Sequence, residues 1–267
     1  MSDSPSRLID PLRLNALLGK AAGRVTPVAL AECASTNTAL QRLAAEGAAS
    51  GTALVADRQT AGRGSRGRSW AASPEASLTF SVLWNFPGGL SRLSGLSLAA
   101  GVGVARALAR CGADATLKWP NDILYDGRKL GGILVELGGD DAQARAIVGI
   151  GLNLRRPENI GDARPALEPA ALDEIVGEPP DRHVLLAALL DELADVFDRF
   201  AREGFAGLRA EWLSLHAWEG RPVRVLRGEE TLLEGVCAGV EADGALLVRT
   251  PGGVSRCVSG DVTLRPR

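Results

Sequence analysis

Residues 116–136 read Thr-Leu-Lys-Trp-Pro-Asn-Asp-Ile-Leu-Tyr-Asp-Gly-Arg-Lys-Leu-Gly-Gly-Ile-Leu-Val-Glu and contain the densest strand and turn signals of the chain. Its first four residues predict a strand that ends at Pro120, because proline cannot donate a ladder hydrogen bond. Two further apolar runs meet at the Asp-Gly dipeptide of residues 126–127, which is typical of a tight hairpin turn. The stretch therefore predicts neighbouring antiparallel strands that carry several charged side chains.

Apolar segments on either side extend this pattern into a larger sheet. Strand alternation occurs at 28–32, 52–56, 77–84 and 144–154, and helical spacing occurs at 38–46 and 90–110. Ser35-Thr36-Asn37 immediately precedes the first of these helices. Residues of this type cap helix N-termini, so capping alone is the favoured explanation from spacing.

The C-terminal part of the chain has a different organisation. Residues 155–180 are rich in proline and predict an irregular connector with at most one short helix. An amphipathic helix follows at 181–202, and from 220 the chain changes to short strands separated by glycine-containing turns. That spacing is typical of a small β-barrel. We therefore expect an N-terminal segment (1–27), a main domain (28–219) and a small C-terminal domain (220–267).

A basic, glycine-rich loop follows the predicted strand at 52–56. Residues 62–70 read Gly-Arg-Gly-Ser-Arg-Gly-Arg-Ser-Trp. Glycine allows close backbone approach, and guanidinium groups supply forked donors for phosphate or carboxylate oxygens. The run also comes within one residue of the nucleotide-binding P-loop pattern, but an arginine replaces the lysine and Pro74 follows where that motif opens a helix. We expect an anion-binding loop that orders when its ligand binds.

Composition places the chain among ordinary globular proteins. Its 267 residues are 46% hydrophobic and 23% charged, with a formal net charge of -2, so it has no global positive field for nucleic acid. Its 4 cysteines are widely spaced and only 2 histidines accompany them, so we predict no zinc centre and no metal ligands from the protein. We find no export segment and no membrane-spanning stretch, and therefore expect a cytoplasmic protein with reduced thiols.

Several motifs occur together in a specific order. They are Ser35-Thr36-Asn37, Gln59, the Gly-Arg-Gly loop, Lys118-Trp119-Pro120-Asn121-Asp122, residues 128–136 and Val148-Gly149-Ile150-Gly151-Leu152-Asn153. In order and rough spacing this set resembles the biotin–protein ligases. Residues 244–248 and 260–265 resemble that family's C-terminal barrel, so the resemblance covers about residues 30–267. It implies an α+β fold: a mixed β-sheet catalytic domain with packed helices, plus a small C-terminal SH3-like β-barrel.

The resemblance also implies a two-step reaction with ATP and biotin as substrates. The biotin carboxylate joins the α-phosphate of ATP, and a lysine of a biotin carboxyl carrier protein then attacks the biotinyl-5'-AMP and releases AMP. Mg2+ would neutralise the polyphosphate. Such a reaction needs cations and a closing loop rather than a protein nucleophile.

The resemblance assigns roles to individual residues. Lys129 is the main catalytic cation, Asp122 faces the incoming lysine amine as acceptor or base, and Lys118 braces the site or contacts substrate. The catalytic set is Lys129, Lys118, Asp122 and Arg63. The biotin-binding set is Ser35, Thr36, Asn37, Gln59, Arg63, Gly64, Ser65, Trp70, Lys129, Gly132, Leu134 and Gly149. The ATP and adenylate set is Arg63, Arg66, Arg68, Lys118, Asn121, Asn153 and Arg265.

Two features distinguish this chain from some members of the family. Ser65 replaces the second arginine of the usual Gly-Arg-Gly-Arg loop. Only about 30 residues precede the ligase core, so we expect no operator-binding domain and no nucleic-acid partner. The oligomeric state is left open as monomer or homodimer. A lipoate–protein ligase, which shares the core fold, and a non-enzymatic biotin sensor are the alternatives.

Overall fold

The computed structural model of the chain describes residues 5–156, 167–258 and 262–266. Its strands are β1 (Thr26–Cys33), β2 (Thr52–Gln59), β3 (Ser77–Pro87), β4 (Thr116–Lys118), β5 (Asp122–Tyr125), β6 (Arg128–Gly139), β7 (Gln143–Asn153), β8 (Pro222–Arg227), β9 (Glu230–Val240), β10 (Leu246–Thr250), β11 (Gly253–Cys257) and β12 (Val262–Pro266). Its α-helices are α1 (Pro11–Leu17), α2 (Thr36–Ala45), α3 (Leu96–Arg110), α4 (Asp173–Val176), α5 (Arg182–Glu203) and α6 (Arg209–Leu215). Among the residues described, no helix combines the length and apolar character needed to cross a bilayer.

The first seven strands form one mixed sheet in the order β1-β2-β3-β7-β6-β5-β4. Strands β1 and β2 are parallel, and every other neighbouring pair is antiparallel. The parallel pair is joined by α2, because parallel neighbours need a crossover connection. The mixed sheet with packed helices that the sequence predicted is thereby confirmed.

Helices cover both faces of the central strands. Phe80 of β3 and Val148 of β7 point to the core beneath α3 and α5. Leu83 and Ile147, on the other face of the same strands, pack with Leu40 of α2. Side chains alternate between faces along a strand, so these inner strands are apolar on both sides. Because α2 covers only part of its face, the rest is left for a pocket.

The segment at 90–110 does not form the single helix that its periodicity predicted. A 3₁₀ turn at Leu90–Leu93 precedes α3, and Gly95 separates the two with a φ of 81°. A Cβ at Gly95 would lie 2.7 Å from Cβ of Phe205, so packing also requires glycine there. The hairpin prediction is confirmed: Asp126 and Gly127 have φ values of 47° and 72°, as a two-residue type I′ turn demands.

A second, antiparallel sheet of five strands has the order β11-β10-β9-β8-β12. Val225, Val248 and Leu264 are fully buried within it. The turn before β10 contacts the main sheet, because the indole N–H of Trp119 donates to the Gly244 carbonyl at 3.1 Å. This sheet confirms the small C-terminal β-structure that the sequence predicted. The division at residues 27 and 219 stays a prediction.

The N-terminal segment packs against α5. The buried carboxylate of Asp191 accepts hydrogen bonds from the backbone N–H groups of Gly19 at 3.0 Å and Ala21 at 2.8 Å. The N–H of Asp10 donates to Nε2 of His183 at 2.8 Å. These contacts attach α1 to the face of the sheet that lies opposite the pocket.

Candidate active site

Glycines on neighbouring strands open a pocket beside α2. Gly132 of β6 pairs with Gly151 of β7, and Leu134 pairs with Gly149. A Cβ at Gly149 would collide with the side chain of Asn37, and one at Gly151 would lie 2.5 Å from the indole of Trp70. The absence of side chains at these positions therefore creates the floor of the pocket.

A β-bulge directs Lys129 to the pocket. The register between β5 and β6 shifts by one residue, so that Ile123 pairs with Gly131 but Leu124 pairs with Lys129. The extra residue, Leu130, is buried in the core. Regular alternation would place Leu130 on the same face as Gly132, whereas the bulge places Lys129 there instead.

Three charged side chains meet at the end of this hairpin. The ammonium groups of Lys118 and Lys129 each lie 2.5 Å from the carboxylate of Asp122, one on each oxygen. The Lys118 side chain is 0% exposed and that of Asp122 is 8% exposed, whereas that of Lys129 is 26% exposed. Lys129 is therefore the member of the group that reaches the pocket, whereas Lys118 contacts Asp122 from the protein interior.

Burial and neighbouring charges shift the pKa values of Lys118 and Asp122 in opposite directions. Burial lowers the pKa of Lys118 to about 8, although the Asp122 carboxylate beside it raises that pKa. Burial alone would raise the pKa of Asp122, but the charges and hydrogen bonds of the two lysines outweigh it and hold that pKa well below its usual range. Asp122 is therefore a carboxylate with very little basicity.

Polar side chains form the end of the pocket at the start of α2. Ser35 occupies the N-cap position but makes no capping hydrogen bond through its side chain, so capping alone does not explain it. The N–H of Thr36 donates to Oε1 of Gln59 at 2.7 Å. Ser81 Oγ, which is fully buried on β3, lies 2.7 Å from Thr36 Oγ1 and 2.6 Å from Asn37 Oδ1.

Glu136 connects this polar end to the basic loop. Its Oε2 accepts from the side-chain amide of Asn37 at 2.8 Å, and its Oε1 lies 2.9 Å from Nη2 of Arg63. Glu136 follows Gly132 and Leu134 on the pocket face of β6. The loop arginine thus has a carboxylate of this chain as its partner in the structure.

The basic loop folds back on itself at the edge of the pocket. The N–H of Gly64 donates to the Arg68 carbonyl at 2.7 Å, and that of Trp70 donates to the Gly62 carbonyl at 2.8 Å. The tip of the loop contains Arg66, with a φ of 62° in the left-handed region. The loop does not form a strand-to-helix phosphate cradle, so the P-loop alternative fails.

The indole of Trp70 closes the pocket. Its ring lies over Gly151, and the Lys129 ammonium is 5.9 Å from the ring centroid. The indole nitrogen Nε1 is buried and has no hydrogen-bond partner. A buried N–H without a partner is costly, so this position favours a ligand that supplies an acceptor.

The structure brings most of the predicted binding residues together around this pocket. Those that line it are Ser35, Thr36, Asn37, Gln59, Arg63, Gly64, Ser65, Arg68, Trp70, Asn121, Lys129, Gly132, Leu134 and Gly149. Sequence reasoning missed Ser69, Thr79, Ile133, Ile150 and Gly151 in the lining, and also Ser81 and Glu136 behind it. Ser69, Ile133, Glu136, Ile150 and Gly151 lie within the quoted motifs, whereas Thr79 and Ser81 lie in a predicted strand that carried no functional signal.

Other predicted residues lie outside the pocket lining. Arg66 is at the loop tip, and Lys118 and Asp122 lie beneath Lys129. Asn153 is buried, and its amide donates to the carbonyls of Ala170 at 2.9 Å and Lys129 at 3.3 Å. Arg265 is half-buried near the charged group: burial lowers its pKa, and the Asp122 carboxylate opposes that shift.

One group of possible metal ligands lies apart from the pocket, where the described C-terminal sheet meets α6. Nδ1 of His216 lies 3.4 Å from a carboxylate oxygen of Glu219 and 4.0 Å from the sulfur of Cys237. Burial, with a contribution from the charge of Lys118, lowers the pKa of His216 to about 4. Burial raises the pKa of Cys237 to about 11, and a neutral thiol is a poor metal ligand.

Comparison with known families agrees with this geometry. The model of the biotin/lipoate A/B protein ligase family matches residues 30–153, and that of the biotin protein ligase C-terminal domain matches residues 220–265. The chain belongs to this ligase family. Because it carries both regions, it is an enzyme of the biotin–protein ligase branch, as the sequence motifs predicted.

Named relatives support the same assignment. The bifunctional ligase/repressor BirA of Escherichia coli is 36% identical over 222 residues, covering 81% of this chain and 67% of the relative. The biotin–[acetyl-CoA-carboxylase] ligase of Paracoccus denitrificans is 34% identical over 233 residues, covering 84% of this chain and 94% of the relative. Among solved structures, the biotin protein ligase of Aquifex aeolicus in complex with biotin and ATP shares 32% identity and a TM-score of 0.77, covering 90% of this chain and 99% of that one.

Proposed function

We propose that this enzyme uses ATP to join biotin to a specific lysine of a biotin carboxyl carrier protein, through biotinyl-5'-AMP. The observation that carries this proposal is the position of Lys129. The β-bulge directs the Lys129 ammonium toward the pocket. This pocket has polar side chains at one end and the basic loop at its edge. An elongated acid with a polar head fits this distribution, with its carboxylate beside Lys129.

In the first step, cations would stabilise charge on the reacting oxygens. Lys129 would lie between the biotin carboxylate and the α-phosphate, where preorganised positive charge lowers the barrier. Arg63 and Arg68 line the pocket and would close over the adenylate with Trp70, whose buried N–H would gain an acceptor. Arg265 would add positive charge from the C-terminal sheet.

In the second step, the lysine amine of the carrier attacks the mixed anhydride. The new amide bond forms as the bond between the acyl carbon and the phosphate oxygen breaks, and AMP leaves. Of the two possible roles for Asp122, acceptor or base, the base role is disfavoured because two lysines hold its pKa well below the usual range. Asp122 would therefore orient the incoming amine as a hydrogen-bond acceptor rather than store its proton.

The remaining assignments complete the proposal. Ser35, Thr36, Asn37 and Gln59 would bind the ring system of biotin, and Gly132, Leu134 and Gly149 would form its floor. Asn121 would contact the nucleotide. Asn153 would affect nucleotide binding indirectly, because its side-chain amide donates to the backbone carbonyl of Lys129.

Magnesium would enter with ATP as part of the substrate. The two carboxylates beside the pocket, Asp122 and Glu136, are already paired with cationic side chains. Mg2+ that keeps several waters and binds phosphate oxygens needs few protein ligands, so these residues fit a magnesium–nucleotide complex better than a protein-held ion. The cytoplasmic location, the choice between monomer and homodimer, and the absence of nucleic-acid binding stay predictions.

Incubation with ATP, Mg2+ and an acceptor carrier domain tests the function. The acceptor should gain the mass of one biotinyl group when biotin is present, and no added mass when lipoate replaces it. Transfer of lipoate in preference to biotin would favour the lipoate ligase alternative. Biotin binding without transfer, accompanied by a band shift with genomic DNA, would favour a sensor.

A further inference from the structure

The polar end of the pocket is held by a chain of hydrogen bonds whose direction is set by one carboxylate. The side-chain nitrogen of Asn37 lies 2.8 Å from Oε2 of Glu136 and 3.4 Å from the Leu134 carbonyl, and both partners are acceptors. If the amide were flipped, its oxygen would face two other oxygens. The Glu136 carboxylate, whose other oxygen pairs with Arg63, therefore fixes Asn37 with Oδ1 pointing to Ser81.

The fixed amide determines where the hydroxyl protons lie. Ser81 has a single proton, and Oδ1 of Asn37 is its acceptor at 2.6 Å. The Ser81 oxygen must then accept at its 2.7 Å contact with Thr36 Oγ1, so Thr36 is the donor there. Gln59 Oε1, at 3.3 Å from Thr36 Oγ1, is the weaker acceptor for that proton.

This arrangement gives the pocket a defined pattern of donors and acceptors. Because its proton is used internally, Thr36 Oγ1 can only accept a hydrogen bond from the pocket side. Gln59 Oε1 already accepts from the Thr36 N–H at 2.7 Å, so its amide nitrogen is the group left to donate. An acceptor beside a donor is complementary to a cyclic urea, which offers N–H and C=O groups side by side.

We propose that Glu136 is a positioning residue: it sets the direction of the Asn37–Ser81–Thr36 chain and so selects a ligand with urea-type N–H groups. The same carboxylate holds Arg63 at 2.9 Å and ties the basic loop to this chain. The inference rests on the proposed function in that biotin is the ligand that carries such a ring. Glu136 itself is not required to touch the ligand.

The test compares Glu136→Ala and Glu136→Gln with a matched control. Losing the carboxylate partner of a buried amide should raise KM and Kd for biotin in the alanine variant by roughly 10- to 100-fold, with kcat little changed. Glu136→Gln should show a smaller rise, because its oxygen can still accept from Asn37. Glu32→Gln is the control, since Glu32 forms an exposed pair with Arg58 at 3.1 Å on the same sheet, and it should behave as wild type.

A measurement without ligand separates this inference from the proposed function. In labelled ligand-free protein, the side-chain amide protons of Asn37 should exchange slowly, and Glu136→Ala should accelerate that exchange while the control does not. Unchanged exchange would overturn the inference, as would an alanine variant whose KM is normal or whose loss lies in kcat alone. Wild-type protein that fails to bind biotin, with Asn37 protected by Glu136 as expected, would instead overturn the proposed function.

Discussion

The ammonium of Lys129 lies 2.5 Å from Oδ1 of Asp122, and this contact joins the two strands of a bulged hairpin. The other carboxylate oxygen is held by Lys118 at the same distance. With both lysines protonated, one negative charge faces two positive charges. The group therefore keeps a net positive charge at the pocket, where a carboxylate and a phosphate are proposed to react.

Lys129→Ala should abolish adenylation while leaving biotin binding largely intact. Removal of one well-placed cation from the reacting phosphate costs roughly 3–4 kcal/mol of transition-state stabilisation. Pyrophosphate release measures the first effect and calorimetry with biotin measures the second. Arg128→Ala is the control, because Arg128 is the adjacent cation but pairs with Glu174 at 2.5 Å. Release of pyrophosphate by Lys129→Ala at a near wild-type rate would contradict the assignment.

Lys118→Met should change how stability depends on pH. The pKa of Lys118 is lowered from 10.5 to about 8 in the folded protein, so between these values the unfolded chain binds more protons. The contribution of Lys118 to the free energy of unfolding therefore rises with pH between these two pKa values. Below the lower pKa, the full cost of burying the charged ammonium is present. Over the whole window the rise amounts to at most about 3 kcal/mol.

Urea unfolding of both proteins at several pH values between 7.5 and 10, roughly spanning the window, checks this. The wild-type free energy of unfolding should rise relative to that of Lys118→Met as the pH increases. Lys20→Met is the control, since its ammonium is largely exposed. Parallel pH profiles for wild type and Lys118→Met would show that Lys118 keeps an ordinary pKa.

Much of the fold follows from local sequence. The Asp-Gly turn at 126–127 fixes the hairpin, because both residues adopt positive φ there. The glycines of β7 and the alternation in β3 mark inner strands. The break at Gly95 was missed, because the helical spacing of apolar residues continues across it and only tertiary packing against Phe205 reveals the requirement.

Only those residues of the site that belong to the family motifs could be predicted from the sequence. The bulge at Leu130 cannot be detected from the hydrophobic pattern, since an apolar residue at this position is compatible with a regular strand as well as with a bulge. Ser81 and Glu136 look like ordinary strand residues, and their partner Asn37 lies 44 and 99 positions away in the sequence. Contacts over such distances depend on the pairing of β3, β7 and β6, which no local pattern encodes.

Residues 62–69 should become protected from hydrogen exchange when biotinyl-AMP forms. Their arginines then gain an anion and the loop closes over it. Exchange should be compared for protein alone, with biotin, and with biotin plus ATP, with residues 185–200 of α5, which pack into the main core, as an internal reference. Equal exchange of the loop in all three samples would mean that it is rigid and does not gate the site.

Ser65→Arg should slow the release of biotinyl-AMP. Where the family usually has an arginine, Ser65 lines the pocket and accepts from Arg68 at 3.2 Å through its hydroxyl, and at 3.3 Å through its carbonyl. If the usual arginine helps to clamp the adenylate, this chain lacks one charge-assisted contact, worth roughly 1.5–3 kcal/mol. Restoring it should slow release by at most about 10- to 100-fold.

Stopped-flow measurement of adenylate release from wild type, Ser65→Arg and Ser65→Ala decides this point. The alanine variant removes the hydroxyl but keeps the carbonyl that Arg68 also contacts, so it reports the effect of freeing Arg68 without adding charge. Slow release only in Ser65→Arg would show that the missing cation weakens retention. Equal rates in all three would mean that Arg66 or Arg68 already supplies the contact and that Ser65 is a permissive position in the loop.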